Sequence, residues 1–380
     1  MTGEWLTAEE TMARLGVRAQ TLYAYVSRGR IEAQPDPEDP RRSRYRLADV
    51  AALATRKGRG RKAADVAQGA IAWGEPVLES AITTIAHGRL FYRGRDAAEL
   101  SEHAGLESVA RLLRGGHGAA LKVAERAAVP ERETMRQRMF AALAERAGGD
   151  PPARGRAPLA LAVEAASLLD VVADAVAGHI GEGPIHERLA AAWNCDPDLI
   201  RRTLVLLADH ELNASTFAAR VTASTGASLA AAALAGLSAL SGPLHGGMAP
   251  RVWNLVEESR RIGPEATVAG RLARGAPVPG FGHPLYPAGD PRAAALLSAF
   301  TMPAELLALR HVVEMSTGEH ANIDFALVAL TEALGLPEDA PFAIFATARC
   351  AGWIAHAIEQ LQTGQLIRPR ARYTGPAPEI

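Results

Sequence analysis

Residues 221–250 read VTASTGASLAAAALAGLSALSGPLHGGMAP and contain no Asp, Glu, Lys or Arg. Small residues lie on every side of a helix drawn through this stretch, which predicts a helix buried among other helices. The stretch is also long enough to span a bilayer, but its Ala, Ser, Thr and Gly content and its GPLHGG ending favour a soluble protein. We expect one helix over Thr216–Leu240, followed by a loop that carries His245.

The composition of the whole chain agrees with a helical protein. Its 380 residues are 48% hydrophobic and 22% charged, which is typical of a soluble globular protein with two or three domains. Aromatic residues make up only 5%, Ala is abundant and runs rich in Val, Ile and Thr are scarce. The predicted fold class is therefore mainly α. A short hairpin is expected over Ala81–Tyr92. Other helices are predicted near Ala97–Leu113, Arg132–Ala147, Leu159–Val176, Ile200–His210, Pro264–Arg274, Pro291–Phe300, Ala304–Thr317, Phe325–Leu334 and Ala343–Gln362.

The cysteines and the N-terminus indicate where such a protein works. Cys195 and Cys350 cannot form a disulfide framework and lie in no metal-ligand cluster. They are expected to be small buried residues in a reducing cytosol. The first residues lack the basic-then-apolar pattern of a signal peptide, so the predicted location is cytoplasmic.

Charge separates the first part of the chain from the rest. Residues 1–62 hold 13 Lys and Arg against 8 Asp and Glu, a net charge of +5, whereas the remainder carries −6. Thr7–Glu10 has the pattern of a capping box, and Ala19–Arg28 predicts a second short helix after Gly16. An arginine-rich segment, Arg41–Arg46, then predicts a basic hairpin. We assign residues 1–54 to a small domain and residues 55–78 to a linker.

This outline resembles a winged helix-turn-helix domain of the MerR/excisionase type. The resemblance implies contacts with the DNA major groove and, from the wing, with phosphates. The residues so assigned are Arg18, Gln20, Thr21 and Tyr23 for the groove and Arg41, Arg42 and Arg44 for the phosphates. The alternative is a module that packs on the rest of the chain or on another protein, with its arginines solvated.

Three loops in the larger part carry groups able to transfer protons. GPLHGG (residues 242–247) presents His245, GFGH (280–283) presents His283, and NID (322–324) presents Asp324 just before a helix. Two imidazoles and one carboxylate on loops suit acid–base catalysis in both directions. Zinc binding is the rival interpretation, although no pair has the spacing of a metal-binding motif such as HExxH.

These motifs, taken in order, resemble the citrate synthase family. HELNAST (210–216), GPLHGG, GFGH followed by DPR (290–292), NID, ARCAGWIAH (348–356) and RPR (368–370) appear in the family's order. The resemblance extends over roughly residues 79–375. It implies a large helical domain formed by residues 79–246 and 336–380, and a small one formed by residues 247–335.

The resemblance also implies roles for single residues. Asp324 would remove a proton from acetyl-CoA, His245 would stabilise the enol, and His283 would protonate the carbonyl of oxaloacetate, giving citrate and CoA. No cofactor other than the acetyl-CoA substrate is implied. His210, Arg292, Arg349 and Arg368 would bind the carboxylates of oxaloacetate, with Arg368 contributed across a homodimer.

The chain departs from the family pattern beside His283. Pro284 and Pro287 occupy positions where the family usually has basic residues that hold CoA phosphates. Arg251 or Arg274 could compensate. The choice between acetyl-CoA and propionyl-CoA, which would give 2-methylcitrate, stays open at this point.

Two functions therefore remain open from the sequence. One is a working synthase, favoured because the three acid–base residues are all present. The other is a dimeric DNA-binding regulator whose synthase-like part senses a ligand.

Overall fold

A computed structural model of the chain describes residues 5–15, 17, 22, 25–26, 31–37, 39, 42–51, 78–116, 126–371 and 373–376. The chain forms two compact units, residues 1–79 and 80–380. The finer boundaries expected within these units stay predictions.

The first unit combines a small antiparallel sheet with short helices. Strand Ser43–Arg46 lies between Trp5–Leu6 and Ala33–Pro35. The capping box predicted at Thr7 is confirmed: the Thr7 amide donates to Glu10 Oε2 at 2.8 Å, and the Glu10 amide donates to Thr7 Oγ1 at 3.3 Å. It starts the helix Ala8–Leu15. The buried core residues of this unit are Leu15, Leu22, Ile31, Tyr45 and Val50.

The second unit begins with a small sheet and continues as helices. Its strands are β1 (Thr83–Ala86), β2 (Arg89–Tyr92) and β3 (Arg95–Asp96), and β1 and β2 form the predicted hairpin. The helices are α1 (Ala97–His103), α2 (Leu106–Leu113), α3 (Met135–Gly149), α4 (Pro158–Ala177), α5 (Ile185–Trp193), α6 (Pro197–Leu207), α7 (Ala214–Ser224), α8 (Leu229–Leu240), α9 (Ala249–Ile262), α10 (Pro264–Ala273), α11 (Pro291–Leu297), α12 (Ala304–Thr317), α13 (Ile323–Leu334) and α14 (Ala340–Thr363). The mainly α prediction is confirmed.

Helix α14 lies at the centre of the larger hydrophobic core. Seventeen of its 24 residues are buried, so it is enclosed on nearly all sides. Helices α7 and α8 approach it closely because small residues line the contact. A Cβ added at Gly236 of α8 would lie 2.5 Å from the Trp353 ring, so only glycine allows this spacing.

A second core forms among α9, α10, α12 and α13. Val252, Leu255, Leu306 and Phe325 are fully buried within it. Helix α13 belongs to both cores, because Phe325 faces this one while Leu330 faces the larger one. The start of α13, where Asp324 lies, is thereby fixed between two packed layers of helices.

Two of the predictions of a single helix are wrong, because each of these segments forms two helices. The single helix expected over Thr216–Leu240 is two helices, because Gly226 adopts a φ of +88° and Ser228 caps the start of α8 through the Ala231 amide. The helix expected over Ala97–Leu113 breaks at Gly105 into α1 and α2. None of the helices within the described residues is long and apolar enough to cross a membrane.

Candidate active site

The loops of His283 and Asp324 are joined by backbone contacts. Phe281 pairs with Ala321 in an isolated β-bridge, and the Gly282 amide donates to the His320 carbonyl at 2.9 Å. The Asn322 amide donates to the Gly280 carbonyl at 2.9 Å. The GFGH loop is therefore held against the first turn of α13.

Glycine is required where this loop passes between helices. Gly280 has a φ of +86°, and a Cβ there would lie 2.9 Å from Val252 Cγ2 on α9 and 3.1 Å from Phe325 Cβ on α13. A side chain at this position would push the loop away from both helices and displace His283.

The imidazole of His245 is bonded to a hydroxyl that the sequence analysis missed. His245 Nε2 lies 2.9 Å from Ser215 Oγ. Ser215 Oγ also accepts from Trp353 Nε1 at 3.0 Å and donates its proton to Asn213 Oδ1 at 2.7 Å. Burial, together with Arg349, lowers the pKa of His245 to about 4, so the ring is neutral at pH 7. Ser215 thus fixes the orientation of a neutral imidazole.

The protonation of His283 follows from one backbone contact. The Leu285 amide donates to His283 Nδ1 at 3.1 Å. A neutral ring that accepts at Nδ1 must carry its proton on Nε2. Burial and the nearby Arg292 lower the pKa of His283 to about 4, which keeps the ring neutral. His283 therefore offers an Nε2–H donor.

The carboxyl group of Asp324 is destabilised in its charged form. Burial raises its pKa to about 6; Asp290 adds to this rise, and Arg292 and Arg349 oppose it. The backbone amide of Asp324 donates to Asn322 Oδ1, the N-cap of α13, at 3.0 Å. A carboxylate with this pKa is ionised at pH 7 and is a stronger base than a solvated one.

Two buried arginines contribute the positive charge of the site. Arg292 forms a bidentate ion pair with Asp290, with Nε and Nη2 at 2.9 and 2.8 Å from the two carboxylate oxygens. Arg349 donates from Nε to the Leu207 carbonyl at 3.0 Å and lies over the Phe345 ring. Its buried Nη2 has no hydrogen-bond partner within the described residues. A buried, unsatisfied cationic donor is suited to an anionic ligand.

His210 lies in a cluster of aromatic rings that sequence reasoning did not predict. Its Nε2 lies 3.0 Å from the hydroxyl of Tyr286, and its ring centre is 5.4 Å from that of His283. Burial and the charges of Arg292 and Arg349 lower the pKa of His210 well below its usual value. The structure thus brings together His210, His283, Tyr286 and the two arginines.

A buried polar network supports this region from behind. His356 Nε2 lies 3.2 Å from Asp209 Oδ2, and Arg220 Nη1 lies 3.1 Å from His356 Nδ1. Because arginine can only donate, His356 accepts at Nδ1 and donates from Nε2 to Asp209. Arg220 also pairs with Glu359 at 2.7 Å. A Cβ at Gly352 would collide with the Asp209 carboxylate, so helix α14 needs glycine there.

The remaining predicted substrate-binding residue, Arg368, is not brought into this cluster. Arg368 follows α14, is exposed, and has no hydrogen bond or ion pair to another described residue. No group of three or more His, Cys, Asp or Glu side chains that could hold a metal ion occurs in the described part of the chain.

Most of the residues predicted to contact DNA lie outside the part of the chain that the structure describes. Arg18, Gln20, Thr21, Tyr23 and Arg41 lie outside the described residues. In the hairpin, Arg44 pairs with Asp36 at 3.0 Å, Arg42 with Asp39 at 3.4 Å, and Arg46 with Glu32 at 2.8 Å. Each of these three arginines therefore already has an acidic neighbour, which reduces the positive charge of the hairpin.

A segment of each unit matches a known family model. Residues 182–370 match the family model described as the citrate synthase C-terminal domain. Residues 5–58 match a helix-turn-helix domain.

Individual relatives agree with the match in the second unit. The putative citrate synthase 2 of Mycobacterium tuberculosis is 38% identical over 209 residues, which are 50% of this chain and 56% of that protein. The 2-methylcitrate synthase 1 of Corynebacterium glutamicum is 35% identical over 189 residues, 46% and 49% of the two chains. The citrate synthase structure from Thermotoga maritima superposes with a TM-score of 0.66 at 27% identity, covering 81% of this chain and 96% of that one. The chain thus spans about half the length of the curated relatives it matches.

The raised pKa of Asp324 predicts a gain in stability when the charge is removed. Its folded pKa, about 6, exceeds the ordinary pKa of an aspartate, 3.8, so the wild type loses stability as the pH rises from about 4 to 6. We expect Asp324→Asn to raise the free energy of unfolding at pH 8 by about 1–3 kcal/mol, with the difference vanishing near pH 3.5. Urea unfolding at both pH values measures this.

The matched control is Asp198→Asn. Arg202 and Arg201 lower the pKa of Asp198, so its replacement should reduce stability at pH 8. A loss of stability at pH 8 in Asp324→Asn would contradict the assignment of a destabilised carboxylate.

Proposed function

We propose that this chain condenses an acyl-CoA with oxaloacetate, because residues 182–370 match the family model of the citrate synthase C-terminal domain. The observation that carries the proposal is the convergence of two neutral histidines and a carboxylate of raised pKa on two buried arginines. The products are citrate and CoA when the donor is acetyl-CoA. We further propose that the reaction takes place in the cytoplasm and needs no cofactor beyond the thioester.

The first step removes a proton from the methyl group of the thioester. The carboxylate of Asp324 accepts this proton, and the thioester oxygen gains the resulting negative charge. A thioester α-proton is too weakly acidic for a carboxylate alone, so a hydrogen bond to that oxygen must lower the barrier. In this structure the Ser215 hydroxyl donates to Asn213 Oδ1. When it turns its proton to Nε2 of His245 instead, the neutral ring keeps its own proton on Nδ1 and donates it to the oxygen.

The second step forms the carbon–carbon bond. The enol carbon attacks the keto carbon of oxaloacetate while the Nε2–H of His283 donates to the developing alkoxide. His283 is set up for this by the Leu285 amide, which occupies its Nδ1. Water then cleaves the citryl thioester to give citrate, CoA and a proton.

Oxaloacetate needs cations for its two carboxylates. The unsatisfied Nη2 of Arg349 and the remaining Nη1 of Arg292 are suited to bind them, because guanidinium groups match carboxylate geometry. His210 adds a neutral donor. Arg368, exposed within its own chain, would reach the site of the other subunit in a homodimer.

Binding of the acyl-CoA requires cations other than those next to His283, because Pro284 and Pro287 offer no charge to CoA phosphates. Arg274 lies 3.9 Å from the carboxylate of Glu258, which also forms an ion pair with Arg271 at 2.5 Å. Arg251 is exposed and has no ion pair within the described residues. This supports Arg251 over Arg274 as the compensating cation. Relatives of both citrate and 2-methylcitrate type leave acetyl-CoA and propionyl-CoA as alternative donors.

A thiol-release assay tests the proposal. We expect the wild type to release CoA from acetyl-CoA or propionyl-CoA only when oxaloacetate is present. Asp324→Ala should reduce kcat by at least about a thousandfold, because no other group can take the α-proton. The acid limb of wild-type kcat/KM should lie near pH 6, where Asp324 becomes protonated.

Two outcomes would contradict the proposal. If the wild type releases no more CoA than Asp324→Ala does with either thioester, catalysis is excluded. An acid limb near pH 4 would instead assign the base to a group other than Asp324.

A second function is favoured by the match of residues 5–58 to a helix-turn-helix domain. We propose that this unit binds DNA and that a homodimer presents two such units to a palindromic site. Arg44 would have to leave Asp36 to reach a phosphate, so its contribution is expected to be small. The groove contacts would come from Arg18, Gln20, Thr21 and Tyr23. DNA binding and catalysis can coexist in one chain.

A mobility-shift experiment with the DNA upstream of the coding sequence, at low salt, tests DNA binding. We expect the full chain to shift this DNA and a chain lacking residues 1–62 to leave it unshifted. In the full chain, Arg18→Ala should weaken binding more than Arg44→Ala does, because Arg44 is already paired. Equal shifts with and without residues 1–62 would exclude this unit as the reader.

A further inference from the structure

Tyr286 has no role in the chemistry derived above, yet its hydroxyl lies within hydrogen-bonding distance of a substrate-binding residue. We propose that Tyr286 is a positioning residue: its hydroxyl donates to Nε2 of His210 and so keeps the His210 proton on Nδ1 for the keto acid. This inference rests on the proposed function, because it names the group that prepares the same site for oxaloacetate.

Local backbone contacts fix the position of Tyr286. Its amide donates to the His283 carbonyl at 2.9 Å, and its own carbonyl accepts from the Gly289 amide at 3.0 Å. These two turns follow directly from the loop that carries His283. The Tyr286 side chain is 2% exposed, and its hydroxyl lies 3.0 Å from His210 Nε2.

The direction of this hydrogen bond decides what His210 can bind. His210 is neutral, because it is buried beside Arg292 and Arg349. A neutral imidazole has one N–H and one bare nitrogen. No other described residue bonds to the ring, so Nδ1 is its remaining contact for a ligand.

The substrate permits only one of the two tautomers. Every oxygen of oxaloacetate is an acceptor when its carboxylates are ionised. It can bind His210 only if Nδ1 carries the proton, which requires Nε2 to accept from Tyr286. Without the hydroxyl, the ring would divide between two tautomers, and the tautomer protonated on Nε2 would present a lone pair to the substrate.

The surroundings of Tyr286 make a clean substitution available. Its ring packs against His210 and His283, with ring centres 5.7 and 4.9 Å away, and Arg292 lies 5.5 Å from its centre. Tyr286→Phe keeps this ring and its contact with the arginine while removing only the hydroxyl. Thr331→Val is the matched control, because it also deletes one buried hydroxyl, which donates to the Leu327 carbonyl at 2.8 Å.

Steady-state kinetics on the full chain provide the first test. We expect Tyr286→Phe to raise KM for oxaloacetate about tenfold, with kcat within about twofold and KM for the thioester unchanged. Thr331→Val should leave both KM values unchanged. An unchanged KM for oxaloacetate in Tyr286→Phe, or an equal loss in both variants, would overturn the proposal.

Nitrogen NMR of the histidine rings gives a second test that does not depend on turnover. In the wild type, the His210 signals, assigned by comparison with His210→Gln, should show a protonated Nδ1 and a bare Nε2. A wild-type His210 protonated on Nε2 would overturn the proposal even if Tyr286→Phe failed to fold. If the wild type has no synthase activity, the proposed function fails, while the tautomer is still measured.

Discussion

The exclusion of water from two arginines and the groups around them controls the chemistry of this site. Arg292 and Arg349 are 3% and 1% exposed, and burial, together with the charge of Arg292, lowers the pKa of Arg349 to about 10, although Asp209 opposes the shift. The same burial keeps His245 and His283 neutral and raises the pKa of Asp324. Desolvation thus prepares two hydrogen-bond donors and one base; the arginines add to its effect on the histidines and oppose its effect on Asp324.

The helical framework holds these buried groups in place. Glycine at positions 236 and 352 lets α14 lie close to α8 and to Asp209, where any side chain would collide. Asp209 is completely buried, and His356 lowers its pKa although burial opposes this. The network from Glu359 through Arg220 and His356 therefore places a negative charge behind the arginines. The carboxylate of Asp209 thereby balances part of the positive charge of Arg349.

The sequence predicted the fold class, the hairpin and the loops that carry His245 and His283. Their motifs are local and each is contiguous in the chain. Asp324 was expected just before a helix, but it lies in the first turn of α13. The role of Tyr286 could not be predicted, because its partner His210 is 76 residues away and only the folded chain brings them together. Helix α9 was missed although Val252, Leu255, Val256 and Ser259 have helical spacing and are all buried. The hairpin arginines were predicted to contact DNA, but sequence alone gives no sign that Asp36 and Asp39 fold back onto Arg44 and Arg42.

The central claim is that the buried arginines form a site for a dicarboxylate, whichever thioester the chain uses. The most direct measurement is a calorimetric titration of oxaloacetate, without thioester, into the wild type and into Arg349→Met, which replaces the guanidinium by an apolar side chain suited to a buried position. The account predicts saturable binding to the wild type and affinity reduced by at least about a hundredfold in Arg349→Met, a loss of about 2.7 kcal/mol. Equal affinity of the two proteins, with Arg349→Met still folded, would contradict it.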